Sequence, residues 1–292
     1  MRKNIPPPLH LGLIGWPLEY SLSPRLHLAA LQERGIPGEY RLYPIPPLPQ
    51  GRTLLSEILD RMRRGELHGL NATIPHKQNM LPLMDELTPV ASGIGAVNTI
   101  YLREGRLVGD NTDAAGFQAD LEKLIPPGSC ANSHQAIVLG AGGAARAVVY
   151  VLTHLGWEVT VVARRLEQAQ QLAGSFLDVA GKVNPLQMGL STLTTVRGSL
   201  IVNTIPPGMP PDQNASPWPL EVPFPPGAAV YDLVYKPEET RLVQVARSAG
   251  LRAANGLGML IEQAALAFEI WTGQTAPRNV MREAVSQSPE KG

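Results

Sequence analysis

Gly140-Ala141-Gly142-Gly143-Ala144-Ala145 decides the fold, because of what flanks it. Ala136-Ile137-Val138-Leu139 reads as a buried strand, residues 144–155 as a helix, and 158–163 as a second strand. That is a βαβ unit whose turn spells G-x-G-x-x-A. Its glycines let the backbone approach a pyrophosphate, which then sits on the free N–H groups of the helix N-terminus. Alone, such a turn is a weak sign, and a tight turn in another α/β protein would look similar. With strand and helix both in place, Gly140, Ala141, Gly142, Gly143 and Ala144 read as a dinucleotide site.

The end of the second strand indicates which dinucleotide. An NAD site usually places an acid there, bonded to the ribose 2′-hydroxyl. This chain has Ala163-Arg164-Arg165, and the next acid is Glu167, inside the following helix pattern. Two guanidiniums suit a 2′-phosphate, which accepts paired, charge-assisted bonds from the arginine fork. The plainer reading is two solvated arginines opening a helix, although the helix dipole disfavours cations at that end. The expectation is NADP rather than NAD.

Composition excludes several classes. The chain has 292 residues, enough for two domains with sizeable cores. Its 25 Lys and Arg balance 25 Asp and Glu, so no basic face calls for nucleic acid. No apolar run reaches membrane length. Met1-Arg2-Lys3-Asn4 leads into Pro6-Pro7-Pro8 and not into an apolar signal core, so a cytoplasmic protein is expected. The single cysteine, Cys130, excludes an internal disulfide and reads as incidental in a linker. The six histidines show no metal-ligand spacing, so no metal is expected.

Outward from the central unit, the chain divides in two. Residues 9–15, 40–45 and 67–74 read as strands, and 24–34 and 54–63 as helices, an alternation that implies a parallel α/β domain. Residues 97–108 read as a hairpin turning at Glu104-Gly105, and 113–124 as a helix. Residues 125–133 form a linker. The nucleotide domain runs to about Ala254, interrupted by a proline-rich loop over 206–226. Residues 258–272 read as the final helix, and 285–292 as a disordered tail.

Three polar clusters in the first half fall at strand or loop ends, where an α/β fold opens its crevice. In Ser21-Leu22-Ser23-Pro24, Ser23 as N-cap with Pro24 at the first helical position would explain the pattern. Ser21 is not needed for that cap, and two hydroxyls near a helix start also suit a carboxylate. In Asn71-Ala72-Thr73-Ile74-Pro75-His76-Lys77, strand alternation puts Asn71 and Thr73 on one face. Buried polar groups must be bonded, so these two would face a polar ligand. Lys77 follows the strand, where a solvated surface lysine is the commoner case. The third cluster is Gly109-Asp110-Asn111-Thr112-Asp113, preceded by Ala96-Val97-Asn98-Thr99. Asp113 could cap its helix, but the run is more polar than one cap requires.

A nicotinamide enzyme that reduces a ketone needs donors for the substrate and a proton source at the developing alkoxide. Lysine serves if its site is partly dry, since desolvation favours the neutral amine; a neighbouring carboxylate does the opposite. Lys77 and Asp113 would combine the two effects, Asp113 orienting the lysine and keeping it charged.

Seven motifs, in order, resemble the shikimate dehydrogenase family: Ser21-Leu22-Ser23-Pro24, Asn71-x-Thr73-x-Pro75-x-Lys77, Ala96-Val97-Asn98-Thr99, Asn111-Thr112-Asp113, Gly140-Ala141-Gly142-Gly143-Ala144, Tyr231-Asp232-Leu233-Val234-Tyr235, and Asn255-Gly256-Leu257-Gly258-Met259-Leu260-x-x-Gln263. The resemblance covers about residues 9–275. It implies reversible, NADP-dependent reduction of 3-dehydroshikimate to shikimate, a small-molecule reaction performed by a monomer or homodimer. It further implies that Ser21 and Ser23 hold the substrate carboxylate and that Lys77 and Asp113 are the catalytic pair. Asn71, Thr73, Asn98, Tyr235 and Gln263 would hold ring hydroxyls. Met209, Gly256 and Met259 would lie against the nicotinamide. The substrate domain would be discontinuous, 1–112 with 256–292, around a Rossmann-type NADP domain of 113–255. Ala72 stands where the family usually has valine, and Ala114 where it usually has glycine. Ala163-Arg164-Arg165 stands for the usual Asn-Arg-Thr: the first arginine is kept, and Arg165 would replace the lost contacts. The rivals are a quinate or dual quinate/shikimate dehydrogenase, a non-catalytic binding module, and another two-domain NADP dehydrogenase such as a folate-linked one.

Overall fold

The computed structural model describes residues 7–126, 134–177 and 182–286. Cys130 and most of the predicted linker lie outside them, as do 287–292 of the predicted tail. In chain order the elements are β1 (Leu9–Gly15), α1 (Ser23–Glu33), β2 (Gly38–Pro44), α2 (Arg52–Arg63), β3 (Gly69–Ala72), β4 (Glu86–Leu87), α3 (Pro89–Ile94), β5 (Thr99–Arg103), β6 (Arg106–Asp110), α4 (Asp113–Leu124), β7 (Gln135–Leu139), α5 (Gly143–His154), β8 (Glu158–Ala163), α6 (Leu166–Gly174), β9 (Val183–Gln187), α7 (Leu190–Thr195), β10 (Leu200–Asn203), β11 (Ala229–Asp232), α8 (Arg241–Ser248), β12 (Ala253–Asn255), α9 (Leu257–Thr272) and α10 (Arg278–Ser286). They fall into two compact units, Met1–Thr112 with Ile261–Gly292, and Asp113–Leu260, so the second boundary lies inside α9.

The first unit is built on a sheet ordered β2-β1-β3-β5-β6-β4. It is mixed and not purely parallel as the alternation implied. β1, β2 and β3 run parallel, while β5 is antiparallel to both β3 and β6. The reversal comes from the β5–β6 hairpin. Its turn residues, Glu104 (φ 53°) and Gly105 (φ 75°), both adopt the left-handed conformation that a tight two-residue turn requires. The reversed strand has a positional effect. Leu13, Asn71, Thr99 and Asp110 lie in one row across the sheet, at the end where β1, β3 and β6 finish and β5 begins.

The amphipathic face of α2 makes the core of this unit. Leu55, Ile58, Leu59 and Met62 pack with Ile14, Leu70, Ala72, Ile100 and Leu107. β3 is shorter than expected and ends at Ala72, so Thr73 and Ile74 lie beyond it, although the Thr73 N–H still bonds the Ile14 carbonyl at 2.9 Å. α9 is not the final helix. α10 follows it and packs on α1, burying Met281. Its sequence, RNVMREAVS, offers too short an apolar stripe to stand out as periodic.

The second unit carries an all-parallel sheet ordered β12-β11-β10-β7-β8-β9. Counted from β7, that is the doubly wound order with its reversal between β7 and β10, where such folds bind ligands. Residues 204–228 contain no helix or strand, as the proline-rich composition implied. The segment is nevertheless anchored. Trp218 is 2% exposed, donates its indole N–H to the Val222 carbonyl at 2.9 Å, and joins Ile201, Val230 and Leu242 in the core. Among the described residues no helix is long and apolar enough to cross a membrane.

Candidate functional site

In the first unit, Asn71, Asn98 and Gln263 belong to one buried hydrogen-bond network. Asn71, near the end of β3, accepts from the Tyr40 hydroxyl at 2.8 Å. Its amide donates to the Asn98 carbonyl at 3.1 Å and to Thr99 Oγ1 at 3.2 Å. Both amide hydrogens are therefore used within the protein, and Asn71 can meet a further group only as an acceptor. Thr99 Oγ1 donates to Asn98 Oδ1 at 2.9 Å, which also accepts the Thr112 N–H at 2.7 Å. The Asn98 amide donates to Thr112 Oγ1 at 3.0 Å and, more weakly, to Gln263 Oε1 at 3.4 Å. The antiparallel register creates this cluster, since Asn71 lies directly opposite Thr99.

Ser23 does not cap α1. The cap position is Leu22, with no side-chain cap bond, and Ser23 is the first helical residue. Ser21 Oγ instead accepts the Ser23 N–H at 3.3 Å. That leaves the Ser21 proton able to donate. The Ser23 side chain reaches the Tyr40 hydroxyl. Behind them His27 is fully buried and stacks on Tyr40, with ring centroids 4.4 Å apart and planes 5° from parallel; Trp271 lies 5.2 Å from His27. Neither His27 ring nitrogen has a partner at hydrogen-bonding geometry. Burial pulls His27 down from 6.5 to about 3, with Asn71 opposing weakly. Thr73 and Lys77 sit in the turns after β3, both half-buried. The Lys77 carbonyl accepts the Val97 N–H at 2.8 Å, which ties the lysine backbone to the segment carrying Asn98.

In the second unit, Asp113 is the first residue of α4 and is buried. The dinucleotide turn fits its expected ligand. Gly142 precedes α5 with no side-chain cap bond, and a Cβ built on it would meet nothing within 4 Å. The α5 N-terminus is therefore open to an anion. Gly140 has φ 113°, and a Cβ there would lie 2.5 Å from Thr204 Oγ1, so glycine is needed at that position. Ala141, Gly143 and Ala144 are half-buried around it. Arg164 and Arg165 follow the end of β8, both exposed, and among the described residues neither makes an ion pair.

The Tyr231–Tyr235 and Asn255–Gln263 motifs meet in this unit at Gly256. Its N–H bonds the Val234 carbonyl at 3.2 Å, and a Cβ there would stand 2.1 Å from the Leu233 carbonyl oxygen. Met259 is buried, while Tyr235 and Met209 are half-buried in loops. Asp232, named in the Tyr231–Tyr235 motif without a role, proves to be structural. It accepts from Asn203 at 2.8 Å, Val234 N–H at 3.0 Å and Thr240 at 2.6 Å, and so shapes the loop leading to Tyr235. Burial raises its carboxyl above the usual range, against the pull of those donors. The available signal was a carboxylate ending an apolar run, which must find partners. Among the described residues no group of three or more His, Cys, Asp or Glu could hold a metal ion.

Comparison with known proteins agrees across both units. The shikimate dehydrogenase substrate binding domain matches residues 13–100, and the shikimate 5′-dehydrogenase C-terminal domain matches 256–285. The NADP(+) shikimate dehydrogenase of Salinibacter ruber is 42% identical over 94% of this chain and 95% of its own. The Thermus thermophilus shikimate 5-dehydrogenase, solved with NADP(H) and shikimate, is 39% identical with a TM-score of 0.78, covering 94% of this chain and 98% of that one. The Corynebacterium glutamicum quinate dehydrogenase, solved with NAD, is 31% identical with a TM-score of 0.83, covering 95% and 98%. With identity at this level over nearly the full length, the chain belongs to the shikimate dehydrogenase family.

Proposed function

We infer that this chain is an NADP-dependent shikimate dehydrogenase, interconverting 3-dehydroshikimate and shikimate on the route to the aromatic amino acids. The observation that carries the reading is the near full-length identity to the Salinibacter ruber enzyme. Residues 1–112 with 256–292 act as the substrate domain and 113–255 as the NADP domain, in a cytoplasmic monomer or homodimer. NADPH, when bound, supplies the hydride that reduces the C3 ketone.

The residues of the chain do the rest. Lys77 stabilises the developing alkoxide and gives it a proton, and Asp113 orients the lysine. Ser21 and Ser23 hold the carboxylate; Ser21 Oγ accepts the Ser23 N–H and so keeps its own proton to donate, which supports that role. Asn71 accepts from a ring hydroxyl, since its two amide hydrogens are already used. Thr73, Asn98, Tyr235 and Gln263 complete the ring contacts. Gly140 through Ala144 receive the pyrophosphate, Arg164 and Arg165 the 2′-phosphate, and Met209, Gly256 and Met259 the nicotinamide.

The test offers shikimate and quinate, each with NADP⁺ and with NAD⁺, to the purified protein and follows nicotinamide absorbance. Strong turnover with shikimate and NADP⁺ alone is expected. Comparable turnover of quinate would favour the dual reading that the Corynebacterium glutamicum neighbour represents. Arg164→Ala is expected to raise the NADP⁺ KM by about ten- to a hundredfold, the worth of one charge-assisted bond, and to spare NAD⁺. Equal loss with both cofactors would remove the 2′-phosphate role.

A further inference from the structure

Two backbone groups set the sense of the whole first-unit network. The Asn98 carbonyl can only accept, so the Asn71 amide nitrogen faces it and Asn71 Oδ1 faces Tyr40. The Thr112 N–H can only donate, so Asn98 Oδ1 faces it and the Asn98 amide nitrogen faces Gln263. Between these anchors, the Thr99 hydroxyl accepts from Asn71 and passes its own proton to Asn98. Donation therefore runs one way, from Tyr40 through Asn71, Thr99 and Asn98 to Gln263 Oε1. The last amide is left presenting its oxygen to Asn98 and its nitrogen elsewhere.

We propose that Tyr40 is a positioning residue for substrate binding: clamped by His27 and Trp271, its hydroxyl joins Ser23 to Asn71 and heads a one-way relay that orients Gln263. The inference rests on the shikimate reading above. Tyr40 is 5% exposed, so its hydroxyl has no water to replace these partners. Its near-parallel stack on His27 holds the ring plane. Burial raises the phenol well above its usual value, so it stays a donor at any working pH. Without that donor, the Asn98 carbonyl still fixes which way the Asn71 amide faces, but Asn71 Oδ1 loses the bond that holds it in place, and the chain of bonds leading on to Gln263 slackens.

The experiment is initial-rate kinetics on the full chain with shikimate and NADP⁺. Wild-type turnover is the control that tests the functional reading itself. Tyr40→Phe is expected to raise the shikimate KM by roughly three- to tenfold, the range for one lost hydrogen bond. The NADP⁺ KM and kcat should stay within about twofold, as befits lost ground-state positioning. Combined with Gln263→Ala, the two KM effects should multiply to less than their product, because they act in one chain. Thr99→Val breaks the relay without touching the aromatic stack and should reproduce the KM rise, and Thr99→Ser should restore it. An unchanged shikimate KM in Tyr40→Phe, with only the melting temperature lowered, overturns the proposal. So does a fully multiplicative double variant. If Tyr40→Phe does not fold, the Thr99 pair decides, and a Thr99→Val variant with wild-type KM overturns it equally.

Discussion

Replacing Lys77 with alanine is expected to cut kcat for shikimate oxidation by about 10²–10⁴-fold, the usual worth of a positioned acid/base group. The shikimate KM should move little, because in this direction the lysine acts only in the transfer step, taking up the hydroxyl proton as the hydride leaves C3. The Val97 N–H holds the Lys77 backbone against the Asn98 segment, so truncating the side chain should not dislodge the ring contacts. Lys77→Arg separates charge from proton transfer. Arginine keeps the positive charge and adds donors but stays protonated at working pH, so it cannot take up that proton. It should be almost as slow as alanine. Full activity in the arginine variant would mean that charge alone suffices, and a rise confined to KM in the alanine variant would make Lys77 a binding residue.

Acid should weaken the first unit through His27, and His27→Phe should remove that weakness. In the folded protein the ring stays neutral down to about 3, whereas an unfolded histidine protonates at 6.5. The folded pKa is the lower one. The stabilisation is therefore fully present above 6.5 and is lost as pH falls from there toward 3. Each pH unit across that window is worth about 1.4 kcal/mol. Between about pH 6.5 and pH 4 the single residue accounts for roughly 3 kcal/mol, a large share of a typical domain's stability. Phenylalanine keeps an aromatic ring against Tyr40 and does not titrate. Its extra bulk shifts stability equally at all pH values, so the readout is the slope. Urea unfolding of both proteins across this range should show a shallower acid decline in the variant. Parallel declines would mean that His27 does not carry the acid sensitivity.

Much of the fold was legible where signals are local. The βαβ unit, the helix at 113–124 and the Glu104-Gly105 turn depend on residues within one or two elements of each other, and they stand where the patterns put them. Short elements were not legible. α3 and α7 have six residues each, too few for a 3.6-residue period to repeat. The buried network was not legible either, because most of its bonds join residues 13 to 165 positions apart. Asn71 was singled out as a buried polar group that would face a polar ligand. The partners turned out to be Tyr40, Thr99 and the Asn98 carbonyl, and no local pattern names those. His27 lies on the buried face of α1, and its stack on Tyr40 and Trp271 connects it to the candidate site.

The reversed β5 divides the labour within one hairpin. Its first residue, Thr99, stands in the row with Asn71 and Asp110, while the chain turns back at Glu104-Gly105, after Arg103. Five strand residues span about 15 Å, so the tip lies at the opposite margin of the sheet from that row. The left-handed pair at the tip touches nothing in the relay, and a Cβ built on Gly105 would meet open space. One end of the hairpin is chemically committed and the other is permissive. The permissive end is a natural place to attach a fluorophore or an affinity handle that travels with the substrate-side unit and leaves its chemistry alone.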